Sequence, residues 1–408
     1  MNEEEHRIMK KIILLALMLL VAAPAIYPKA KRGSVKEPRI PILAWYSIPP
    51  GQFATQERYE ELRNAGFTLS FSHIYSYEDA VKALDLCAKV GLKSIFMCPE
   101  LEKEPEAIAR KVKNHPGLGG YFLRDEPGND ALDALGDWAR RIQSVDDIHP
   151  CYLNLLPEHA FSREGYIEHL RLFIEKVPLP QLSYDHYPIR QTEQGVRLNP
   201  VFFDNLELVS KAGRDAGKPF WAFALSTAHT PYPIPTMGHL RLQMYANLCY
   251  GAQCLQYFTY WNPGTETWNF HEAPIKQDGQ RSPVYELVRQ LNAEIQKRAF
   301  VFLGSKVEGV YHMGEDIPQG TTRLTQLPPH FKKLDSGGKG ALVSLLSNGS
   351  HRYVVVQNTS PSDPIDMQIE TDGQVMLIRR DASRERASKY GPLFVLEPGD
   401  VLIFANEE

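Results

Sequence analysis

The sequence predicts an α/β protein in which a (β/α)₈ TIM barrel is followed by a small all-β sandwich domain. Between Pro38 and about Phe302, eight short apolar runs alternate with amphipathic stretches. After Gly304 the pattern changes to strand-rich segments separated by turns. Eight strand–helix units over roughly 250 residues are what a barrel of this kind requires. The chain has 408 residues, of which 43% are hydrophobic, so it is long enough to bury more than one core.

The N-terminal residues have the layout of a secretory signal peptide. Lys10 and Lys11 precede an apolar run from Ile12 to Ala23. The end of this run forms a small-x-small cleavage site, Ala23-Pro24-Ala25. The run is short for a transmembrane helix. We therefore expect residues 1–25 to be a signal peptide and residues 26–37 a linker. The expected location is secreted or periplasmic, with no stable membrane insertion after the signal is removed.

The barrel is predicted over residues 38–303. Amphipathic patterns between the apolar runs predict the helices; in one of them Ala80, Leu84, Cys87 and Val90 share a helical face that ends before Gly91. A doubly wound sheet is the competing fold, but no glycine-rich phosphate turn follows the first run. The eight predicted strands are Ile40–Ile48, Phe67–Tyr75, Ser94–Glu100, Gly119–Glu126, Pro150–Leu156, Gln181–Tyr187, Pro219–Ser226 and Ala252–Trp261.

The second domain is predicted over residues 304–408. Its segments alternate apolar and polar residues, and the pairs Asn348-Gly349 and Asp372-Gly373 are hairpin signals. The sequence therefore predicts a β-sandwich with two such hairpins.

The amino-acid composition limits the classes of binding partner and cofactor that we expect. The net charge is −4 and no basic patch occurs, so we expect no nucleic-acid partner. The five cysteines show no C-x-x-C spacing, which favours buried free thiols over disulfides or a zinc site. No cofactor and no metal are expected.

Polar residues follow most of the predicted strands. Because the active site of a TIM barrel lies where strands end, these residues are expected to meet on one face. Arg124, Asp125 and Glu126 end the fourth strand, and Arg124 is expected to pair with a carboxylate. The other strand-end residues selected as a site are Tyr46, His73, Asn154, Asp185, His186, Tyr187 and Trp261.

Paired carboxyl groups among aromatic side chains suit the cleavage of glycosidic bonds. One carboxyl group protonates the leaving oxygen, and the other attacks the anomeric carbon or activates water. The expected substrate is therefore a carbohydrate.

The stretch "GYFLRDEPG" resembles the fourth-strand signature of clan A glycoside hydrolases, in which Glu-Pro follows a polar residue. "YDHYP" on the sixth strand and "RLQMYANLCYGAQCLQYFTYW" also resemble barrel glycosidases, and "EPGDVLIF" is similar to their C-terminal sandwiches. The resemblance covers about residues 38–302 and names no single family. It implies that Glu126 is the acid/base and that Trp261 forms the floor of the first sugar subsite.

The sequence departs from this pattern at the seventh strand. Clan A enzymes carry a nucleophilic Glu at its end, but "KPFWAFALSTAH" has no carboxylate. Asp185, Glu100 and Glu266 are the candidates for the second carboxylate. Asp185 is favoured as base or nucleophile, and a separation beyond about 5 Å from Glu126 would permit inversion. Asp125 is expected to bind hydroxyls or to support Glu126.

Two other readings stay open. A non-catalytic carbohydrate-binding barrel would show the same face without a nucleophile. A metal-dependent hydrolase or lyase would use Glu126, Asp185 and His186 as ligands. The favoured hypothesis is an exported glycoside hydrolase-like protein in which Glu126 and Asp185 are catalytic. The residues expected to bind the sugar are Tyr46, His73, Asp125, Asn154, His186, Tyr187 and Trp261.

Overall fold

The computed structural model describes residues 39–406 apart from Thr265 and Thr267. The predicted signal peptide and linker therefore lie outside the described residues. Within the described part of the chain, no helix is both long and apolar enough to cross a membrane.

The predicted barrel is confirmed, and each of the eight apolar runs overlaps one of its strands. All pairings between neighbouring barrel strands are parallel, in the order β5-β4-β3-β2-β1-β10-β9-β6. A parallel bridge between Leu155 and Tyr184 connects β5 to β6 and closes the ring. The barrel strands are β1 Ile42–Trp45, β2 Leu69–Ser70, β3 Lys93–Phe96, β4 Leu118–Asp125, β5 Cys151–Asn154, β6 Leu182–Tyr184, β9 Phe220–Leu225 and β10 Cys254–Phe258.

Helices cover the outside of the barrel. In the second of them, Ser76 accepts a hydrogen bond from the Asp79 amide at the start, and Gly91 ends the helix at φ 78°. A small antiparallel hairpin, β7 Ile189–Thr192 and β8 Gly195–Leu198, follows β6. The helices are α1 Gln56–Asn64, α2 Tyr77–Val90, α3 Pro99–Lys103, α4 Pro105–Val112, α5 Leu132–Gln143, α6 Arg163–Lys176, α7 Phe202–Ala216, α8 Met237–Cys249, α9 Pro283–Lys297 and α10 Ala299–Phe302.

The C-terminal region is a β-sandwich, as predicted. A six-stranded sheet has the order β11-β13-β14-β19-β16-β17, and a three-stranded sheet has the order β12-β15-β18. Side chains such as Val343, Val356 and Met367 form the core between them. The strands are β11 Lys306–Met313, β12 Phe331–Asp335, β13 Ala341–Asn348, β14 His351–Asn358, β15 Ile365–Thr371, β16 Val375–Ile378, β17 Arg384–Arg386, β18 Leu393–Leu396 and β19 Val401–Asn406.

One of the two predicted hairpins is present. Asn348 pairs with His351 across the tight turn at Gly349, which joins β13 to β14. The prediction of a hairpin at Asp372-Gly373 was wrong, because β15 and β16 belong to different sheets. Gly373, at φ 80°, instead turns the chain from one sheet to the other.

Helix α8 joins the barrel to the sandwich. It is buried almost all round, because one side packs on β9 and another side packs on β13 and β14. The Ser344 hydroxyl donates to the Cys249 carbonyl at 2.7 Å across this contact. The barrel core therefore continues into the six-stranded sheet.

Candidate active site

A cleft of about 690 Å³ lies at the carboxyl ends of the barrel strands. Seven of the nine predicted site residues line it together, although they come from β1, β4, β5 and β6 and the residues that follow these strands. The seven are Tyr46, Asp125, Glu126, Asn154, Asp185, His186 and Tyr187.

Three carboxyl groups meet around one amide in this cleft. Asn154 Nδ2 donates to Asp185 Oδ1 at 2.9 Å and to Asp125 Oδ1 at 3.3 Å. The carboxyl group of Glu126 lies close enough to that of Asp185 for the two groups to interact electrostatically. Because two like charges at short range disfavour each other, the pair favours keeping at least one proton.

The surroundings favour the protonated forms of all three groups. Burial raises the pKa of Asp185 well above its usual range, and the charges of Glu126 and Asp125 raise it further. Burial also raises the pKa of Glu126. Burial and the neighbouring Glu126 raise the pKa of Asp125 to about 7. The side chains of Asp125 and Glu126 are exposed to the cleft, whereas Asp185 is buried beneath it.

The backbone places Asp125 and Glu126 on the same side. Successive side chains of a regular strand point to opposite faces. Here a bulge between Phe122 and Arg124 interrupts the pairing with β5, and Glu126 adopts φ 46°. Positive φ in a non-glycine residue is strained and clusters at functional sites. Tyr46, across the cleft, has φ 42°.

A buried chain of hydrogen bonds orients the Asn154 amide. Tyr152 Oη donates to Gln256 Oε1 at 2.6 Å, and Gln256 Nε2 donates to Ser183 Oγ at 2.8 Å. Ser183 Oγ donates to Asn154 Oδ1 at 2.9 Å. Since Oδ1 is an acceptor there, Nδ2 must face the carboxyl groups. Buried residues of the barrel interior thus determine which end of the Asn154 amide faces the carboxyl groups.

His186 lines the cleft, but both ring nitrogens are already used. Asn199 Nδ2 lies 3.0 Å from Nε2, and Nδ1 lies 2.9 Å from Asn205 Oδ1. Because Asn199 can only donate through Nδ2, Nδ1 carries the proton. Burial lowers the pKa of His186 to about 3, so the ring is neutral and positions the segment after β6.

Tyr187 faces the carboxyl groups, and its ring packs against Phe258 at 5.5 Å between centroids. Burial and the charges of Asp185, Asp125 and Glu126 raise the pKa of its phenol well above the usual range. The phenol is therefore a hydrogen-bond donor in this site.

His73 and Trp261 lie in a neighbouring cleft of about 520 Å³. Tyr46 and Pro263 line both clefts and so connect them. Trp261 is only 4% exposed because its ring packs on Phe53 at 4.8 Å. These two predicted residues are thus beside the carboxyl groups' cleft and not in it.

Arg124 points away from the carboxyl groups. It lines a groove on the outer surface with Trp138 and Arg141 and makes no ion pair within the described part of the chain. The bulge before Arg124 reverses the expected direction of its side chain. Its expected pairing with a carboxylate is not found.

The seventh barrel strand, β9, supplies an aromatic side chain to the cleft and no carboxylate. Phe223 of β9 lines the cleft, and the hydroxyls of Ser226 and Thr227, which follow the strand, bond to Thr259. Glu266 lines the cleft from the loop after β10, whereas Glu100 begins helix α3 on the surface. Asp185, the favoured candidate, lines the same cleft as Glu126.

Sequence reasoning missed several residues that line the cleft. Trp268 is 57% exposed there, and His159 packs on His186 at 5.3 Å between ring centroids. Trp268 lies in a loop and His159 in a single 3₁₀ turn, both beyond the strand ends, where apolar periodicity gives no signal. An aromatic residue in a polar loop, as at Trp268, was the available indication.

Among the described residues, no group of three or more His, Cys, Asp or Glu side chains is arranged to hold a metal ion. The cysteines Cys87, Cys98, Cys151, Cys249 and Cys254 are buried and free, as expected.

Comparison with known proteins identifies the group to which this architecture belongs. The profile of glycoside hydrolase family 42, described as β-galactosidase, matches residues 169–298, from helix α6 to just after α9. This range includes Asp185 and excludes Glu126. No curated protein matches the chain.

Solved structures share the fold at low identity. The β-galactosidase from Bacillus circulans sp. alkalophilus is 10% identical at a TM-score of 0.60, covering 91% of this chain and 99% of that one. A family 5 glycoside hydrolase from Bacteroides vulgatus is 12% identical at a TM-score of 0.54, covering 90% and 89%.

The β-galactosidase from the psychrophilic Marinomonas ef1 is 12% identical at a TM-score of 0.50, covering 64% of this chain. This chain spans 60% of that enzyme's length. The barrel, its sandwich and these likenesses agree with the resemblance found in the sequence. The chain is a clan A glycoside hydrolase-like (β/α)₈ barrel protein with a C-terminal β-sandwich, unassigned to any one family within that group.

Proposed function

We propose that this protein cleaves O-glycosidic bonds of a carbohydrate and that Glu126 is the general acid. The observation that carries the proposal is the meeting of Glu126, Asp125 and Asp185 in one cleft at the mouth of the barrel, where Asn154 Nδ2 donates to both aspartates. Burial raises the pKa of Glu126 and of Asp185, so this pair keeps a proton where an ordinary carboxyl group has lost it. A general acid needs a proton at the working pH.

The rest of the cleft suits a sugar. Asp125 and Asn154 present hydrogen-bonding groups beside Glu126, and the Tyr187 phenol lines the same cleft. Trp268 offers an exposed aromatic face of the kind that packs on sugar rings. In this proposal Asp185 supports Glu126 from within the same cleft.

The test is a panel of glycans and aryl glycosides assayed for released sugar with the wild-type protein and with Glu126→Gln. We expect Glu126→Gln to lower turnover at least 100-fold and to leave sugar binding within a few-fold. Glu100→Gln is the matched control, because Glu100 lies on the surface at the start of α3. Full activity of Glu126→Gln would refute the assignment. Binding without turnover by the wild type would support the non-catalytic barrel.

We further propose that the protein is exported. The support is the sequence of residues 1–25, in which two lysines precede an apolar run and a small-residue cleavage site. Expression of the full chain with cell fractionation should place the protein outside the cytoplasm, and N-terminal sequencing should find a mature chain that begins near Ile26. An intact N-terminus in the cytoplasmic fraction would contradict export.

A further inference from the structure

The cleft does not hold its carboxyl groups as ordinary glycosidases do. Retaining enzymes place two carboxyl groups about 5–5.5 Å apart, and inverting enzymes place them about 6.5–9.5 Å apart, on opposite sides of the sugar ring. Asn154 Nδ2 donates to both Asp185 and Asp125, so Asp185 lies on the same side of the cleft as Asp125 and the adjoining Glu126. Phe223 occupies the cleft wall at β9. A nucleophile opposite Glu126 must therefore have another source.

We propose that the substrate supplies this nucleophile: the protein takes 2-acetamido-2-deoxy-β-glycosides, whose own amide carbonyl oxygen attacks the anomeric carbon, while Asp125 accepts the amide N–H. The proposal rests on the proposed function, since Glu126 remains the acid. Such substrate-assisted hydrolysis is one of the known exceptions to the two-carboxylate rule.

The position of Asp125 carries the assignment. It directly precedes Glu126, and the bulge in β4 together with φ 46° at Glu126 turns both side chains into the cleft. The acetamido group is attached to the carbon next to the anomeric carbon. A carboxylate beside the acid is therefore within reach of the amide N–H when the acid reaches the glycosidic oxygen. Asn154 Nδ2, at 3.3 Å, holds the Asp125 carboxyl group in place.

The cleft floor suits the acetamido methyl group. Trp45 and Phe223 line it, with ring centroids 5.4 Å apart, and both side chains are almost fully buried. An apolar floor next to a hydrogen-bonding carboxylate matches the two ends of an acetamido group. A 2-hydroxyl group would leave this floor uncovered.

The two steps balance without any co-reactant except water. First, the amide carbonyl oxygen bonds to the anomeric carbon, the bond to the glycosidic oxygen breaks, and that oxygen takes the proton of Glu126. The oxazolinium ion formed keeps its N–H on Asp125. Then Glu126 takes a proton from water as the water oxygen bonds to the anomeric carbon, and the electrons of the broken ring bond return to the amide carbonyl. Configuration is retained, and only 1,2-trans (β) glycosides can react in this way.

The experiment compares aryl β-glycosides of N-acetylglucosamine and N-acetylgalactosamine with the matched glucoside and galactoside, using the full protein. We expect kcat/KM to be at least 100-fold higher for the acetamido substrates. Replacing acetyl by trifluoroacetyl makes the carbonyl oxygen a weaker nucleophile and should lower kcat at least 10-fold. Competitive inhibition by a thiazoline analogue of the sugar would further support the proposal.

Two variants separate the possibilities. Asp125→Asn should lower turnover of the acetamido substrates at least 30-fold, with folding checked by circular dichroism. Inactivation by Glu266→Gln, with Asp125→Asn still active, would identify Glu266 as the missing nucleophile and overturn the inference. Equal turnover of 2-hydroxy glycosides, dependent on Glu126, would also overturn the inference while leaving the proposed function intact. No turnover and no binding of either class would refute both.

Discussion

Asp125 links the chemistry of the site to the stability of the fold. Burial and the neighbouring Glu126 raise its pKa to about 7, compared with about 3.9 in an unfolded chain. The folded protein therefore binds more protons than the unfolded chain between these values. By linkage, the free energy of unfolding contributed by Asp125 falls as pH rises from about 4 to about 7.

Asp125→Asn is expected to remove this pH-dependent loss of stability. Below about pH 4 the variant and the wild type should have similar melting temperatures, and above pH 7 the variant should melt higher, although its turnover is impaired. Thermal unfolding measured over pH 3–8 checks this. Asp130→Asn, at an exposed position nearby, is the control and should show no such dependence. A melting-temperature difference that does not change with pH would contradict the prediction.

Ser183 acts through Asn154 and not on the substrate. Its hydroxyl fixes Asn154 Oδ1, so Ser183→Ala frees the amide to turn and weakens its bonds to Asp125 and Asp185. These bonds lower the pKa of both carboxyl groups. We expect kcat to fall about 10-fold, equivalent to about 1.4 kcal/mol. KM should change little, and the alkaline limb of the pH–rate profile should move to higher pH.

Ser94→Ala is the matched control for this measurement, because Ser94 is a buried barrel serine that bonds to the Ser70 carbonyl and not to the site. An unchanged pH profile in Ser183→Ala, with or without loss of kcat, would mean that the hydroxyl is only structural.

At the scale of elements, strand β4 positions the site and is anchored at its middle by a buried side chain. Tyr121 Oη, four residues before Asp125, donates to Asp146 Oδ2 at 2.6 Å. Asp146 also bonds to the ring of His149 at 2.8 Å and to the backbone amide of Ile148 at 3.1 Å. The turn between α5 and β5 is therefore connected to β4 by one buried carboxylate.

Asp146→Ala is expected to lower the free energy of unfolding by about 2–3 kcal/mol, because it leaves the buried Tyr121 hydroxyl and backbone amides without an acceptor. Asp147→Ala, at the exposed neighbouring position, should change it by less than about 0.5 kcal/mol. Urea denaturation of both variants checks the difference. Equal effects would show that the carboxylate does not stabilise the turn.

The elements also show how far the sequence predicts the structure. The strands and α2 follow from apolar periodicity and caps, which are local signals. The failed hairpin at Asp372-Gly373 has the right turn chemistry, but the choice of sheet depends on core packing between distant strands. The predicted pairing of Arg124 with a carboxylate failed for a similar reason, because a bulge of one residue reverses the direction of the side chain. The meeting of Glu126 and Asp185 in one cleft depends on the geometry of the barrel, which no local sequence pattern encodes.

At the scale of the molecule, the barrel and the sandwich share one core through α8. Gln357 of β14 reaches across, and its Nε2 lies 3.1 Å from the Leu242 carbonyl in α8 and 3.1 Å from that of Gly399. Nearby, Gly238 has no space for a side chain, because an added Cβ would lie 2.8 Å from Pro398. The two predicted domains are therefore expected to unfold together.

Gln357→Ala tests this cooperativity. It removes the buried donor and leaves a cavity, so we expect a loss of about 2–3 kcal/mol. All five tryptophans lie before residue 304, so tryptophan fluorescence reports only on the barrel. In one cooperative unit, this substitution in the sandwich lowers the fluorescence midpoint and the circular-dichroism midpoint by the same amount. Gln374→Ala, at an exposed position in the sandwich, should change neither. If fluorescence kept the wild-type midpoint while circular dichroism showed an earlier transition, the sandwich would be a separate folding unit, and barrel activity would be expected to survive its removal.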